Sequence, residues 1–377
     1  MLACLVSGLV VASASAAPAL ADIPGGTTAV VGGDQLGGRG VIVNYPASGA
    51  RRLPAVAASA YVIADAGTGQ VLAAKDPHGW FAPASTLKVL TVDALMPVLQ
   101  PDATVVASRQ AADIEPSKVG LVAGHRYAVS DLFKALLLIS ANDAAISLAQ
   151  ATGSFAKGVA MMNAEAQRLG ADDTVAKQPN GLDAAGQHVS AYDEALFARQ
   201  ALTLPTFMQD EKLLTTRFRL RRHHTVTLYN QNTLLTDYPG DLGGKIGWTT
   251  PARATYIGLA RRHGVTLIVT ILHCRPQTEM TYAARLLNWG FAMDGKVTPV
   301  GTLVRPRPAR SATPQPGPQP AGAQHQPPAQ QIARGQPPSP TVPVAAAVGS
   351  VLLGALVVGS FAVVTRRGRR GGSRSAP

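Results

Sequence analysis

An α+β fold is predicted by three features of the 377-residue sequence. A β-hairpin pattern opens the folded part, apolar helices fill the middle, and two long β-patterned stretches and a helix close it. The hairpin is Ala60-Tyr61-Val62-Ile63-Ala64-Asp65, a turn at Ala66-Gly67-Thr68-Gly69, and a return at Val71-Leu72-Ala73. Next comes Pro83-Ala84-Ser85-Thr86-Leu87-Lys88, followed by apolar residues at helical spacing. Proline suits a helix start, where its missing N–H costs nothing.

The middle reads as consecutive helices. Ser130 to Ile139 is an apolar helix with Ser130 as its cap, and it ends at Ser140-Ala141-Asn142-Asp143 before a second apolar run. Phe155 to Leu169 is a further helix stopped by Gly170, Pro179-Asn180-Gly181-Leu182-Asp183 is a turn, and Ala191 to Leu202 is helical. From about Leu213 to Leu235 the pattern becomes β-like. Asp241 to Thr250 is a glycine-rich strand that lets another backbone come close. The stretches Ala254–Ala260 and Val265–Leu272 are strands joined at Arg261-Arg262-His263-Gly264, and Glu279 to Phe291 is the closing helix.

Outside this region the composition changes. Residues 1–21 combine a short apolar stretch with Ala19-Leu20-Ala21, the pattern of an export signal peptide, though without a basic start. Residues 22–55 are rich in Gly, Pro and small residues and are expected to be a flexible leader, so the compact domain is placed at 56–300. Twelve prolines between Pro306 and Pro343 mark 301–341 as an extended linker. Residues 342–364 are uncharged and apolar; at 1.5 Å per residue the run reaches about 34 Å, enough for a transmembrane helix. Arg366-Arg367-Gly368-Arg369-Arg370 follows, so the positive-inside rule puts the tail 365–377 in the cytoplasm and the domain outside.

The net charge of +12 is concentrated in that tail. Nine arginines and no acid lie from Arg305 onward, leaving about +3 for everything before. With no basic stripe interleaved with aromatics, nucleic-acid binding is excluded as the main role. Cys4 and Cys274 form no disulfide framework or zinc pattern, and the adjacent His223 and His224 are not at ligand spacing, so no metal or cofactor is expected.

Three short motifs stand in order: Ser85-x-x-Lys88, Ser140-x-Asn142 and Lys245-x-Gly247. In the first, a desolvated neutral lysine one turn from a serine can remove the hydroxyl proton, and a helix start favours developing negative charge. Single matches are weak, as Ser154-Phe155-Ala156-Lys157 and Lys118-Val119-Gly120 show by repeating the spacings in contexts that carry no chemistry.

The ordered set resembles the penicillin-recognising serine enzymes, and its context resembles the low-molecular-mass D-alanyl-D-alanine carboxypeptidases over about residues 57–293. The resemblance implies a penicillin-binding-protein/β-lactamase-like fold, an antiparallel sheet flanked by helices with a mostly helical subdomain. It implies that Ser85 attacks the D-Ala-D-Ala peptide carbonyl of peptidoglycan stem peptides and that Lys88 takes its proton. Ser140 and Lys245 would pass a proton to the departing D-alanine, and Asn142 would hold the substrate amide. The backbone N–H groups of Ser85 and Trp248 would form the oxyanion hole. β-Lactams would act as inhibitors, and Gly247, Thr249 and Arg275 would join Lys245 in binding substrate.

One position departs from the pattern: Ile246 stands where the family has the threonine that contacts the substrate carboxylate. Losing that hydrogen bond costs roughly 1.5–3 kcal/mol, with Thr249 and Arg275 left to compensate. The alternative it raises is a catalytically weak or inactive relative that binds wall peptides. A β-lactamase is less well matched, since no Glu-x-x-Leu-Asn element supplies a deacylating glutamate.

Overall fold

The computed structural model describes residues 30–308. In chain order, β1 (Val41–Ile42), β2 (Ala58–Asp65) and β3 (Gln70–Lys75) precede the 3-10 turn Ala84–Leu87 and α1 (Lys88–Leu95). The helical region then runs through β4 (Thr104–Val106), α2 (Arg109–Ala112), β5 (Arg126–Ala128), α3 (Val129–Leu138), α4 (Asn142–Ala151) and α5 (Phe155–Leu169). It continues with α6 (Ala191–Ala201), α7 (Pro205–Glu211), the hairpin β6 (Thr215–Arg221) and β7 (His224–Tyr229), and α8 (Leu234–Asp237). The chain returns as β8 (Asp241–Thr249), β9 (Arg253–Arg262), β10 (Val265–Cys274), α9 (Glu279–Met293) and β11 (Gly301–Thr302).

One antiparallel sheet, ordered β1-β3-β2-β10-β9-β8 with β11 also on β3, forms the centre. The chain leaves the sheet after β3 and returns at β8, so the helical region is inserted between strands that lie at opposite ends of the sheet. Alternate residues of the central strands feed two cores. Ala60, Val62, Ile257, Leu259 and Ile268 face the layer containing α1 and α6. Tyr61, Ile63, Tyr256, Val269 and Ile271 face α9 with Leu286, Leu287 and Trp289. Burial on both faces explains why these strands read as continuous apolar runs.

Several sequence expectations shift. The leader expected over 22–55 is part of the domain from Val30 onward: β1 pairs with β3, Leu36 is fully buried, and the Trp289 indole N–H donates to the Arg51 carbonyl at 2.7 Å. These sparse apolar residues cover one edge of the sheet, which would otherwise be left open. At the other end, β11 pairs with β3, and Arg307 donates to both carboxylate oxygens of Asp172, so the domain runs past 300 into the segment assigned to the linker. Ser130 is not the cap of α3; Ala128 holds that place without a side-chain hydrogen bond. The helix over 155–169 ends as expected, with Gly170 left-handed at φ 80°. The expected signal segment 1–21, the proline-rich segment beyond 308, the apolar run 342–364 and the tail 365–377 lie outside the described residues. Among the described residues, no helix is long and apolar enough to cross a membrane.

Because Leu36 is a core side chain, Leu36→Ala is expected to cost about 2–5 kcal/mol. Denaturant unfolding of the full chain checks this, and an unchanged midpoint would show that the segment around it contributes nothing.

Candidate active site

Ser85 lies in the 3-10 turn Ala84–Leu87, and Lys88 is the first residue of α1. Side chains three residues apart eclipse one another in a 3-10 turn, so the Ser-x-x-Lys spacing becomes direct contact. Lys88 Nζ lies 2.8 Å from Ser85 Oγ, 2.8 Å from Asn142 Oδ1 and 2.6 Å from the Asn180 carbonyl. Lys88 is fully buried, and desolvation, reinforced by the charge of Lys245, holds its ammonium well below the ordinary lysine range. A neutral amine has two N–H donors and one lone pair. The two carbonyl oxygens take the donors, which leaves the lone pair for the Ser85 hydroxyl.

The turn itself is held from below and from the side. Ala84, just before Ser85, has φ 50°, a left-handed conformation that costs roughly 1–3 kcal/mol outside glycine. The Thr86 hydroxyl contacts the Pro83 carbonyl at 2.6 Å and also bonds Glu194. Thr255 donates to the same Pro83 carbonyl at 2.9 Å. Burial pushes Glu194 well above the usual carboxyl range, and the bond with Thr86 partly offsets this. Gly181, at φ 80°, presses on the turn so closely that a Cβ there would fall 1.8 Å from the Ala84 carbonyl oxygen.

Ser140 sits between α3 and α4 at φ 60°, again left-handed, and is nearly buried on the cleft wall. Asn142 is fixed on both sides: its backbone N–H donates to the Ser117 carbonyl at 2.8 Å and its Nδ2 to the Glu115 carbonyl at 2.9 Å. Asp143, fully buried, accepts from the backbone N–H groups of Val119, Gly120, Leu121 and Ala144 at 2.8–3.1 Å. It ties the loop to the start of α4. The Lys118-x-Gly120 match is therefore a loop held by a carboxylate. The Ser154-x-x-Lys157 match is a helix cap, in which Ser154 Oγ accepts from Lys157 N at 3.0 Å.

β8 is the opposite wall. Gly247 faces the Ala84–Leu87 turn: a Cβ on it would come 2.7 Å from Ser85 N and 2.4 Å from Thr255 Oγ1. Lys245 is nearly buried and donates to the Ile246 carbonyl at 2.7 Å. Burial pushes Lys245 down and Glu211 up, while their opposite charges partly restrain Lys245. Ser85, Ser140, Asn142, Ile246, Gly247, Trp248 and Thr249 all line one cleft of about 570 Å³. Arg275, expected to bind substrate, is exposed and outside that lining. Thr249 lines it, but its hydroxyl donates to Asp183 Oδ1 at 2.9 Å and accepts from Ala252 N at 3.1 Å.

A serine with a buried lysine at hydrogen-bond distance, set beneath the edge strand of an antiparallel sheet, defines a serine acyl-transfer enzyme of the penicillin-recognising fold. The Peptidase S11 profile, described as D-alanyl-D-alanine carboxypeptidase, matches residues 47–275, and the chain belongs to this family. It is 36% identical over 262 residues to the D-alanyl-D-alanine carboxypeptidase DacB2 of Mycobacterium tuberculosis, covering 68% of this chain and 89% of that protein. Identity to DacD of Salmonella typhimurium is also 36%, over 63% of each chain. A solved Mycobacterium tuberculosis D-alanyl-D-alanine carboxypeptidase superposes with TM-score 0.65 at 36% identity, covering 69% of this chain and 99% of that one. The Streptomyces K15 DD-transpeptidase gives 0.60 at 26% identity, covering 64% of this chain and all of that one.

Asp143, Asn180, Gly181, Glu194 and Glu211 were not assigned to the site from sequence. Gly181 was legible only as a turn glycine, and Asp143 lay inside the Ser140 junction. Glu194 and Glu211 carry no local signal, since each acts on residues about a hundred or thirty positions away.

Gly247→Ala is expected to force β8 away from the nucleophile turn and slow acylation of Ser85 about a hundredfold, the cost of a displacement near 1 Å. Stopped-flow acylation with a chromogenic β-lactam, alongside circular dichroism, checks this. Wild-type rates in the variant would show that the close approach is dispensable.

Proposed function

We propose that this chain is a serine-type carboxypeptidase that removes the terminal D-alanine from peptidoglycan stem pentapeptides through an acyl-enzyme on Ser85. The single observation that carries the reading is the buried Lys88 amine at 2.8 Å from Ser85 Oγ, with its two other contacts both acceptors.

The chemistry follows from that contact. Ser85 Oγ attacks the carbonyl carbon of the penultimate D-alanine as Lys88 takes the hydroxyl proton. The Ser85 and Trp248 N–H groups receive the oxyanion. The carbon–nitrogen bond breaks, and the departing amine takes a proton through Ser140, with Lys245 supplying positive charge beside it. Asn142 holds the substrate amide while its Oδ1 keeps Lys88 in place. Water then attacks the ester, releasing the shortened peptide and restoring the Ser85 hydroxyl. β-Lactams acylate the same oxygen.

The reading extends to the layout of the chain. Residues 1–21 serve as an export signal, the proline-rich segment as a spacer, 342–364 as a single membrane span and 365–377 as a cytoplasmic tail, leaving the enzyme domain outside. The support is compositional: an uncharged run of 23 residues followed at once by Arg366-Arg367-Gly368-Arg369-Arg370.

Intact-mass analysis after penicillin treatment is expected to show one adduct on the wild type and none on Ser85→Ala; an equal adduct on both would place the nucleophile elsewhere. Lys88→Gln is expected to lower the acylation rate by roughly 10²–10⁴-fold, the range of a lost general base. The sign with pH follows from the lowered Lys88 pKa. Desolvation lowers it, so the pH at which protonation begins to slow acylation is expected to lie well below that of an ordinary lysine. A rate that instead rose only above pH 10 would mean a lysine of ordinary basicity.

A further inference from the structure

Ile246 and its surroundings say more about the substrate than a lost hydrogen bond. Ile246 packs into the core on the α9 side of the sheet, while Gly247, its neighbour on β8, faces Ser85. Glu279 begins α9 on that same side, and Met280 beside it packs into the same core. Both Ile246 and Glu279 line the cleft. Glu279 is close enough to add its charge to the environment of Tyr256, the cross-strand partner of Ile246.

A free carboxylate bound here would need cations or hydroxyl donors. The position beside Lys245 is an isoleucine. The Thr249 proton is committed to Asp183, and Arg275 lies outside the lining. Among the described residues no arginine lines the cleft; the hydroxyls of Ser117, Ser140 and Thr250 do, but so do the carboxyl groups of Glu115, Asp183 and Glu279. Glu279 Oε2 is buried with no hydrogen-bond partner among the described residues. The helix dipole accounts for an acid in the first turn of α9, but not for an oxygen left without a donor in a cleft wall. Such an oxygen is complementary to an N–H group and repels a carboxylate.

We propose that Ile246 and Glu279 set specificity on the leaving-group side, favouring substrates whose departing residue presents an N–H-bearing group where a free carboxylate would otherwise sit. Two sources share that chemistry: a stem peptide ending in a carboxamide, and a cross-link in which the departing residue is an amidated diamino acid of a second stem peptide. The inference rests on acylation of Ser85 by the D-alanyl carbonyl. The bonds made and broken are the same: Ser85 Oγ–carbon forms, carbon–nitrogen breaks, and the amine leaves with its proton. Only the group beyond the nitrogen differs.

The test compares diacetyl-L-Lys-D-Ala-D-Ala as free acid and as carboxamide, together with a purified cross-linked muropeptide dimer, on the full-length chain. The wild type is expected to show kcat/KM roughly tenfold or more higher on the carboxamide. Glu279→Arg should reverse the ratio, and Ile246→Thr should raise the rate on the acid. A ratio is read because a merely structural role would move both substrates together. Cleavage of the dimer assigns the preference to cross-links, and cleavage of the carboxamide alone assigns it to amidated ends; either supports the proposal. Preference of the wild type for the free acid, or a ratio unchanged by Glu279→Arg, overturns it. If neither peptide turns over, Ser85 acylation by benzylpenicillin and by its methyl ester gives the same comparison. A faster ester supports the wall, and an equal or faster acid overturns it. Failure of Ser85 to react with any of these overturns the acyl-enzyme reading, a different result from a reversed preference.

Discussion

Burial of the Lys88 amine beneath Ser85 is the constraint on which the rest of the site depends. An ammonium taken out of water is costly, and the structure places no carboxylate within ion-pair distance of it among the described residues. Its partners are two carbonyl oxygens, from Asn142 and Asn180, and the Ser85 hydroxyl, none of which carries a charge. Burial with no ion-pair partner pushes the amine toward the neutral form that a base requires. It also explains why elements distant in sequence converge here: α1 brings the lysine, the start of α4 brings Asn142, and the 179–181 turn brings the carbonyl.

The surrounding backbone is arranged so that this contact survives. Ala84 and Ser140 both hold left-handed conformations that side chains disfavour. Each is over-determined by neighbours: Gly181, Thr86 and Thr255 around the nucleophile turn, and Asp143 with its bonds to the 119–121 loop behind Ser140. Gly247 lets an edge strand lie against the turn with no side chain between. The sheet is buried on both faces between α9 and the α1–α6 layer, and the cleft is built on its edge and on the ends of helices.

Much of this was legible in the sequence because the signals were local. The hairpin at 58–75, the Gly170 stop and the β9–β10 pair follow from turn residues and apolar patterning. Ser85, Lys88, Ser140, Asn142 and Lys245 stood in order before any geometry was known. What escaped was set by long-range packing. Leu36 and Ile42 look like scattered apolar residues in a Gly-rich leader until β11 covers the first and β3 pairs with the second. Glu194 and Glu211 are ordinary helix acids until the fold buries them against Thr86 and the Gly244 N–H. Arg275 and Thr249 were expected to grip a carboxylate on the strength of resemblance. The structure leaves the first exposed and ties the second to Asp183.

The most direct test of the account is the protonation state of Lys88 itself. Selective ¹³C labelling of lysine with an NMR pH titration of the Cε resonance, assigned by comparison with Lys88→Arg, would read it in the absence of substrate. The account predicts a transition lying well below the ordinary lysine range. A resonance that stays ammonium-like through pH 7 and titrates near 10 would contradict it, because Ser85 would then have no base.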